Sequence, residues 1–273
     1  MKKKQTFQNL PEDWLPDGTE ASAYVNSDDE WPRLIDRLGN PRIVEHHFLA
    51  KILSWIQETY GNEPSGLSYL EVGCGHGNDL RAIKEKLRAG RFLGVDISMP
   101  EILRGLDYYG KEKNESRNAA VRLFAQGDIR NLKDLRFWNE LTTNFSRPGG
   151  IKDREFNLLY LEAVLHGLGH KAKTYTEKKA SAQRLLDELF RVCSPGGKFF
   201  GRANCFSGIN PLARLDVLRQ YNNWQFIADT EELKQMFQRA GFRLLEIYQV
   251  PHKKALTDPA KKDMVEVSFW AEK

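Results

Sequence analysis

YLEVGCGHGNDL, residues 69–80, runs from an apolar stretch into three glycines at alternate positions, Gly73, Gly75 and Gly77. A glycine-rich turn after a strand serves one of two ends. It brings bare backbone close to a ligand, or it makes a tight turn and nothing more. The segments on either side decide between them.

Outward from this turn, strand and helix patterns alternate. Leu67–Gly73 reads as a strand, Asn78–Gly90 as a helix closed by Gly90, and Arg91–Ser98 as a second strand. Met99–Gly110 carries Pro100 near its start and Gly110 at its end, marks of a helix at both termini. Ala119–Ile129 is a third strand, and Glu155–Val164 a fourth after a segment holding Trp138 and the Pro148-Gly149-Gly150 turn. Thr176–Ser194 is a helix and Gly196–Cys205 a strand. Thr230–Gly241 is a helix that Asp229 can cap, with Glu232 at the capping-box position. Phe242–Val250 and Met264–Glu272 end the chain as strands. Upstream, Pro41–Tyr60 has Ile43, Phe48, Leu49, Ile52, Leu53 and Ile56 at helical spacing.

Strands alternating with helices of this length build βαβ units and a mostly parallel sheet. The last two strands are separated by a short segment with two prolines, which leaves no room for a crossover helix, so they pair antiparallel. The expected fold is α/β: a Rossmann-like, doubly wound, seven-stranded sheet, mostly parallel, with one antiparallel strand near the C-terminus. Residues 1–40 lack periodicity and are expected to form an arm that acts as a lid. Residues 41–273 form a single domain, with 206–227 as a second lid-like insertion.

In such sheets ligands bind beyond the carboxyl ends of the strands. Three successive strands deliver a carboxylate there: Glu71 just before the glycines, Asp96 nineteen residues after Gly77, and Asp128 in QGDI. The spacing G-x-G-x-G is neither the dinucleotide fingerprint nor a P-loop, and no Lys-Ser/Thr pair follows. A rim of carboxylates repels phosphate and suits a ligand with hydroxyls, amines and positive charge.

LEVGCGHG, GVDIS, QGDI, FNLLYLEAVLHGL, LLDELFRVCSPGGKFFG and TEELKQMFQRAGF, in this order, resemble the class I S-adenosylmethionine-dependent methyltransferases over about three quarters of the chain. The resemblance implies S-adenosylmethionine as cofactor. It places Gly73, Cys74, Gly75 and Gly77 against the methionine arm and ribose, with Glu71 beside them. It puts Asp96, followed by Ile97, on the ribose hydroxyls. It sets Asp128 at the adenine amino group beside the backbone of Ile129, and Leu161 and Glu162 near the methionine amine. Asn157 departs from the family, which has Asp there; the departure touches structure more than chemistry. By the same resemblance Arg42 is a candidate partner of the cofactor carboxylate, with Arg33 competing. Against these roles stand plain ones. Asp96 would serve as a helix cap, Asp128 as a turn residue and Cys74 as a small filler.

Methyl transfer from a sulfonium needs alignment and exclusion of water more than a strong base. The candidate for acceptor-side proton work is His166, after the fourth strand; a hydrogen bond to a loop carbonyl is its plainer role. His166 and His170 stand four apart, but Gly167 and Gly169 work against a rigid metal-binding helix, so no metal is expected. Tyr24, Trp31 and Trp224 are candidates to line an acceptor pocket and equally ordinary packing residues.

The favoured acceptor is a small molecule, because no RNA-binding module is appended. The alternative is RNA with a cap-like guanine, given a faint resemblance to cap guanine methyltransferases. A third reading is a cofactor-binding subunit without turnover. Net charge is +4 and the pI near 8.8, too mild to argue for nucleic acid. No stretch reaches the roughly 18 apolar residues of a membrane span. Cys74, Cys193 and Cys205 show no paired spacing, and the N-terminus carries no apolar secretion segment. The expected location is the cytoplasm. None of these motifs encodes an oligomeric state.

Overall fold

From residue 68 onward the chain winds strand, helix, strand, as the pattern requires. The computed structural model describes residues 43, 46–62, 64–87, 90–111, 124–139, 144–145, 149–162, 164–165, 168, 174–206, 229–251 and 264–273. The arm at 1–40, Arg42, His166, His170 and nearly all of the 206–227 insertion lie outside these residues, as do Tyr24, Trp31, Arg33 and Trp224.

The elements are α1 (Leu49–Tyr60), β1 (Ser68–Val72), α2 (Asn78–Leu87), β2 (Arg91–Asp96), α3 (Met99–Lys111), β3 (Phe124–Gln126), β4 (Arg136–Asn139), β5 (Asn144–Phe145), β6 (Phe156–Glu162), α4 (Tyr175–Val192), β7 (Cys193–Phe206), α5 (Thr230–Ala240), β8 (Arg243–Pro251) and β9 (Met264–Glu272). The strands form one sheet in the order β5-β4-β3-β2-β1-β6-β7-β9-β8. The pairs β1–β2, β2–β3, β1–β6 and β6–β7 are parallel. As expected, β8 and β9 pair antiparallel, and β9 also runs antiparallel to β7.

The sheet has nine strands rather than seven. β4 and β5 add an antiparallel hairpin beside β3. They are only four and two residues long, too short for a period-2 pattern to register, and they pair with an edge that β3 would otherwise leave open. Helix α1 begins at Leu49, not Pro41. The reason lies in His46, whose ring binds the sheet. Its Nδ1 accepts from Phe48 N–H (3.2 Å) and its Nε2 donates to Gly201 O (3.0 Å). Burial lowers the pKa of His46 to about 4, and a neutral imidazole suits one donor and one acceptor bond.

Alternation along the buried strands sends side chains to two cores. Leu70, Val72, Leu159, Leu161, Phe199 and Phe269 face α4 and α5, where Phe237 and Phe242 join them. Tyr69, Leu158, Tyr160, Phe200 and Trp270 face α1, α2 and α3. Helix starts follow local rules. Asp229 accepts from Glu232 N–H at 2.6 Å, while the Glu232 carboxylate is taken by Tyr175 and Lys179. Thr174 and Glu177 form a reciprocal capping box on α4. At Asn157 an amide does what a carboxylate could not. It accepts from Ser68 N–H at 3.0 Å and donates to Ser194 Oγ at 3.1 Å, tying β1, β6 and β7 at their start. Among the described residues no helix is long and apolar enough to cross a membrane.

Candidate functional site

The chain adds β2 and β3 on one side of β1, then returns to add β6 and β7 on the other. Strand order therefore reverses between β1 and β6, and the crevice beyond their carboxyl ends is where a doubly wound sheet takes a ligand. The glycine turn opens onto this point.

The turn is stitched to β2. Gly73 and Cys74 donate to Val95 O at 2.7 and 3.2 Å, and Gly77 donates to Cys74 O at 2.9 Å. Gly73 and Gly75 have φ of +68° and +52°, a region that L-residues enter at a cost. Their surroundings differ. A Cβ on Gly73 would lie 2.2 Å from Val164, so this glycine lets the segment after β6 close on the turn. A Cβ on Gly75 would meet nothing within 4 Å. Bare backbone at Gly75 thus faces open space at the reversal of strand order, the approach surface a ligand requires.

Asp96 ends β2 beside this surface. Its Oδ2 accepts from Gly75 N–H at 2.8 Å and its Oδ1 from Ser98 N–H at 2.7 Å. Burial raises its pKa, against the lowering effect of these two bonds. A carboxylate has about four acceptor directions, so Asp96 keeps room for a ligand hydroxyl. The cap and the ligand-facing carboxylate are thus compatible in one side chain. Ile97 follows, its carbonyl accepting from Gln126 Nε2 at 3.3 Å.

Glu71 is 3% exposed. Among the described residues Tyr69 Oη, at 3.4 Å, is its one hydrogen-bond partner. Burial raises its pKa well above the usual carboxylate range, and Asp79, Glu162 and Asp96 push it the same way. A cation in the crevice would relieve this charge crowding. Cys74 is a packed thiol whose Sγ sits where a Cβ on Gly94 would go, and burial raises its pKa.

Glu162 and Leu161, at the end of β6, diverge. Leu161 turns into the core under α4. Glu162 stays on the Glu71 side, where its Oε2 accepts from Arg202 Nε (2.9 Å) and from Tyr160 Oη (2.8 Å). Asp128 lies beyond β3 and is held by Arg130, and Ile129 is buried in the α4 side of the core. Asp79 at the start of α2 accepts from Ile43 N–H at 2.9 Å.

Arg202, Arg130, Asp79 and His46 were not singled out by sequence reasoning. For Arg202 a signal exists: it follows Phe200 by two in a buried strand, so a charged side chain must enter the layer that holds Phe200 and Trp270. The others are identified only by their partners.

The buried carboxylate at Glu71 has a consequence for pH. A raised folded-state pKa means that the native protein keeps a proton the unfolded chain gives up. Stability is then lost as pH rises from the ordinary carboxylate value, about 4.3, through the folded value. Glu71→Gln removes this dependence. At pH 8 and without ligand, the variant should melt higher than wild type by roughly 2–4 °C, the shift that 1 kcal/mol produces in a chain of this size. The gap should narrow towards pH 5 in calorimetric scans. A variant less stable than wild type at pH 8 would show that the carboxylate is already compensated.

Comparison with known proteins agrees with this geometry. A family model described as "Methyltransferase domain" matches residues 16–247. No curated protein matches the sequence. Among solved structures, phosphoethanolamine N-methyltransferase 2 of Haemonchus contortus, in complex with S-adenosyl-L-methionine, superposes with a TM-score of 0.54 at 15% identity, covering 81% of this chain and 51% of that one. This chain therefore spans about half the length of that enzyme. Geranyl diphosphate C-methyltransferase from Streptomyces coelicolor A3(2) gives 0.54 at 10% identity, covering 83% and 80%. An arsenic(III) S-adenosylmethionine methyltransferase from Chlamydomonas reinhardtii gives 0.52 at 20% identity, covering 85% and 73%. With a family model spanning most of its length and a glycine turn opening at the reversal of its strand order, the chain belongs to the methyltransferase domain family, the class I S-adenosylmethionine-dependent methyltransferases.

Proposed function

We propose that this protein transfers a methyl group from S-adenosylmethionine to a small-molecule acceptor. The observation that carries the reading is the joint placement of Gly75 and Asp96. Backbone without a side chain faces open space, and the carboxylate that ties down this backbone keeps acceptor capacity for a ligand hydroxyl. That set fits a ribose diol and a flat approach by the sulfur arm, and the crowded carboxylate of Glu71 fits a positive charge.

When bound, the cofactor supplies a methyl group already activated for in-line displacement. The chain's part is to hold and align. Asp96 would take the ribose hydroxyls, the 73–77 turn would lie along the methionine arm, and Glu71 would balance positive charge from within. The buried Glu162–Arg202 pair forms a charged floor beside Glu71. His166, two residues beyond Val164, remains the candidate to receive a proton from an acceptor that needs to lose one. Arg42 is the candidate partner of the cofactor carboxylate. Three of the structural neighbours are named for small acceptors, phosphoethanolamine, geranyl diphosphate and arsenic(III), which favours that class over RNA.

The test incubates the protein with S-adenosylmethionine labelled in the methyl group and either a metabolite extract or total RNA. Label in a small molecule is the expected result. Label in RNA, with salt-sensitive RNA binding, would overturn the acceptor class. Heat of binding with a nicotinamide cofactor but none with S-adenosylmethionine or its demethylated product would overturn the cofactor.

A further inference from the structure

The glycine turn has little of its own to fix its shape. Three of its five residues, Gly73, Gly75 and Gly77, have positive φ, +68°, +52° and +79°. Glycine has the most backbone freedom of any residue, so such a turn keeps one shape only where its neighbours tie it down. The ties on its first half run to β2. Gly73 and Cys74 donate to Val95 O, and Gly75 donates to Asp96. Further along the turn a tie runs to α3 instead. His76 is the one residue of the five with a long polar side chain, and its Nδ1 lies 3.2 Å from Oε2 of Glu101. A carboxylate only accepts, so Nδ1 carries the proton and donates.

This contact is largely enclosed, with the His76 and Glu101 side chains 17% and 19% exposed. The other oxygen of Glu101, Oε1, accepts from Arg104 Nη1 at 2.8 Å, so the carboxylate is held from both sides. Helix α3 also packs on the turn itself: a Cβ on Gly105 would lie 2.6 Å from His76 O. Glu101 stands near Asp96 as well. Burial is the main cause of the raised pKa of Asp96, and the charge of Glu101 adds to it. An acid in the first turn of a helix suits the helix dipole, but that role needs no contact with His76.

We propose that Glu101 is a positioning residue for the cofactor: through His76 it holds the second half of the glycine turn where the methionine arm would lie. The proposal rests on the cofactor reading above. Glu101 touches no ligand here, so its effect reaches only a ligand that carries the arm.

The experiment compares, by calorimetry, S-adenosylhomocysteine with methylthioadenosine, which keeps the adenosine and the sulfur but lacks the amino-acid arm. The proteins are wild type, His76→Ala, Glu101→Ala, the double variant and His76→Asn. Each single alanine variant should bind S-adenosylhomocysteine roughly 3- to 10-fold more weakly, the factor for one hydrogen bond, and methylthioadenosine within about 2-fold of wild type. The double variant should lose no more than either single one, because both remove the same contact. His76→Asn, whose amide N–H stands in for Nδ1–H, should recover most of the affinity. Lower melting with unchanged affinity would leave Glu101 as a helix-start acid and overturn the proposal. Equal weakening of the two ligands, losses that add in the double variant, or a His76→Asn variant as weak as His76→Ala would overturn it too. Absence of S-adenosylhomocysteine binding to wild type would instead overturn the cofactor reading itself. If the alanine variants do not fold, Glu101→Gln, which keeps the shape and gives up the charge, decides the matter. It should lose affinity for S-adenosylhomocysteine alone, and affinity equal to wild type would overturn the role.

Discussion

Asp96→Ala is expected to lower the affinity for S-adenosylmethionine roughly 10- to 150-fold, about 1.5–3 kcal/mol, the range for hydrogen bonds to a charged group. Two losses combine. The carboxylate that would accept the ribose hydroxyls is gone, and Gly75 N–H loses the acceptor that fixes the turn. Ser98 N–H also loses its partner at the start of α3, so some loss of melting temperature accompanies the loss of affinity. Asp96→Asn separates the two effects. It keeps one oxygen, which can serve Ser98, and gives up the charge. Calorimetric titration should show weakened binding in both variants, while melting falls chiefly in the alanine variant. An alanine variant with lower melting and unchanged affinity would reduce Asp96 to a helix cap.

The second large effect is on stability. Glu162 and Arg202 form a pair in which both side chains are nearly buried, 11% and 12% exposed. Burial alone would lower the pKa of Arg202, but Glu162 together with Tyr160 and Glu266 more than offsets it, so the guanidinium stays charged. Glu162→Ala removes the nearer carboxylate of that charge and leaves Glu266 at 3.4 Å. Tyr160 Oη loses its acceptor at the same time. The expected cost is about 3–5 kcal/mol in urea unfolding, the usual penalty for removing one partner of a buried pair. Glu162→Leu combined with Arg202→Leu should recover most of it, because two apolar side chains bury no charge at this position. A double variant as unstable as the single one would mean that the pair is not the source of the loss.

The two effects differ in how far they were visible in the amino-acid order. Asp96 was legible. A carboxylate at the end of a strand, nineteen residues after the last glycine of the turn, is a local pattern, and local patterns carry most of this fold. Strand and helix patterns in alternation marked β1, β2, β6 and the helices. Prolines and glycines marked their ends, and a short two-proline connection marked the antiparallel pair of β8 and β9. These depend on neighbours a few residues apart, which is why they survive in a linear reading.

Pairing across the chain did not. His46 bonds a carbonyl 155 residues later, Glu162 finds Arg202 40 residues away, and Asn157 joins Ser68 to Ser194. The hairpin of β4 and β5 is too short to show a period and exists because β3 offers an edge. Even Asp128 and Arg130, two apart, gave no sign that they would pair side-on, since the guanidinium is also held by Ser181 of α4. Local chemistry chose the elements and delivered carboxylates to one edge of the sheet. Which of those carboxylates a cation pairs with was settled by packing between segments far apart in the chain, because hydrogen-bond and ion-pair geometry is defined only once those segments meet.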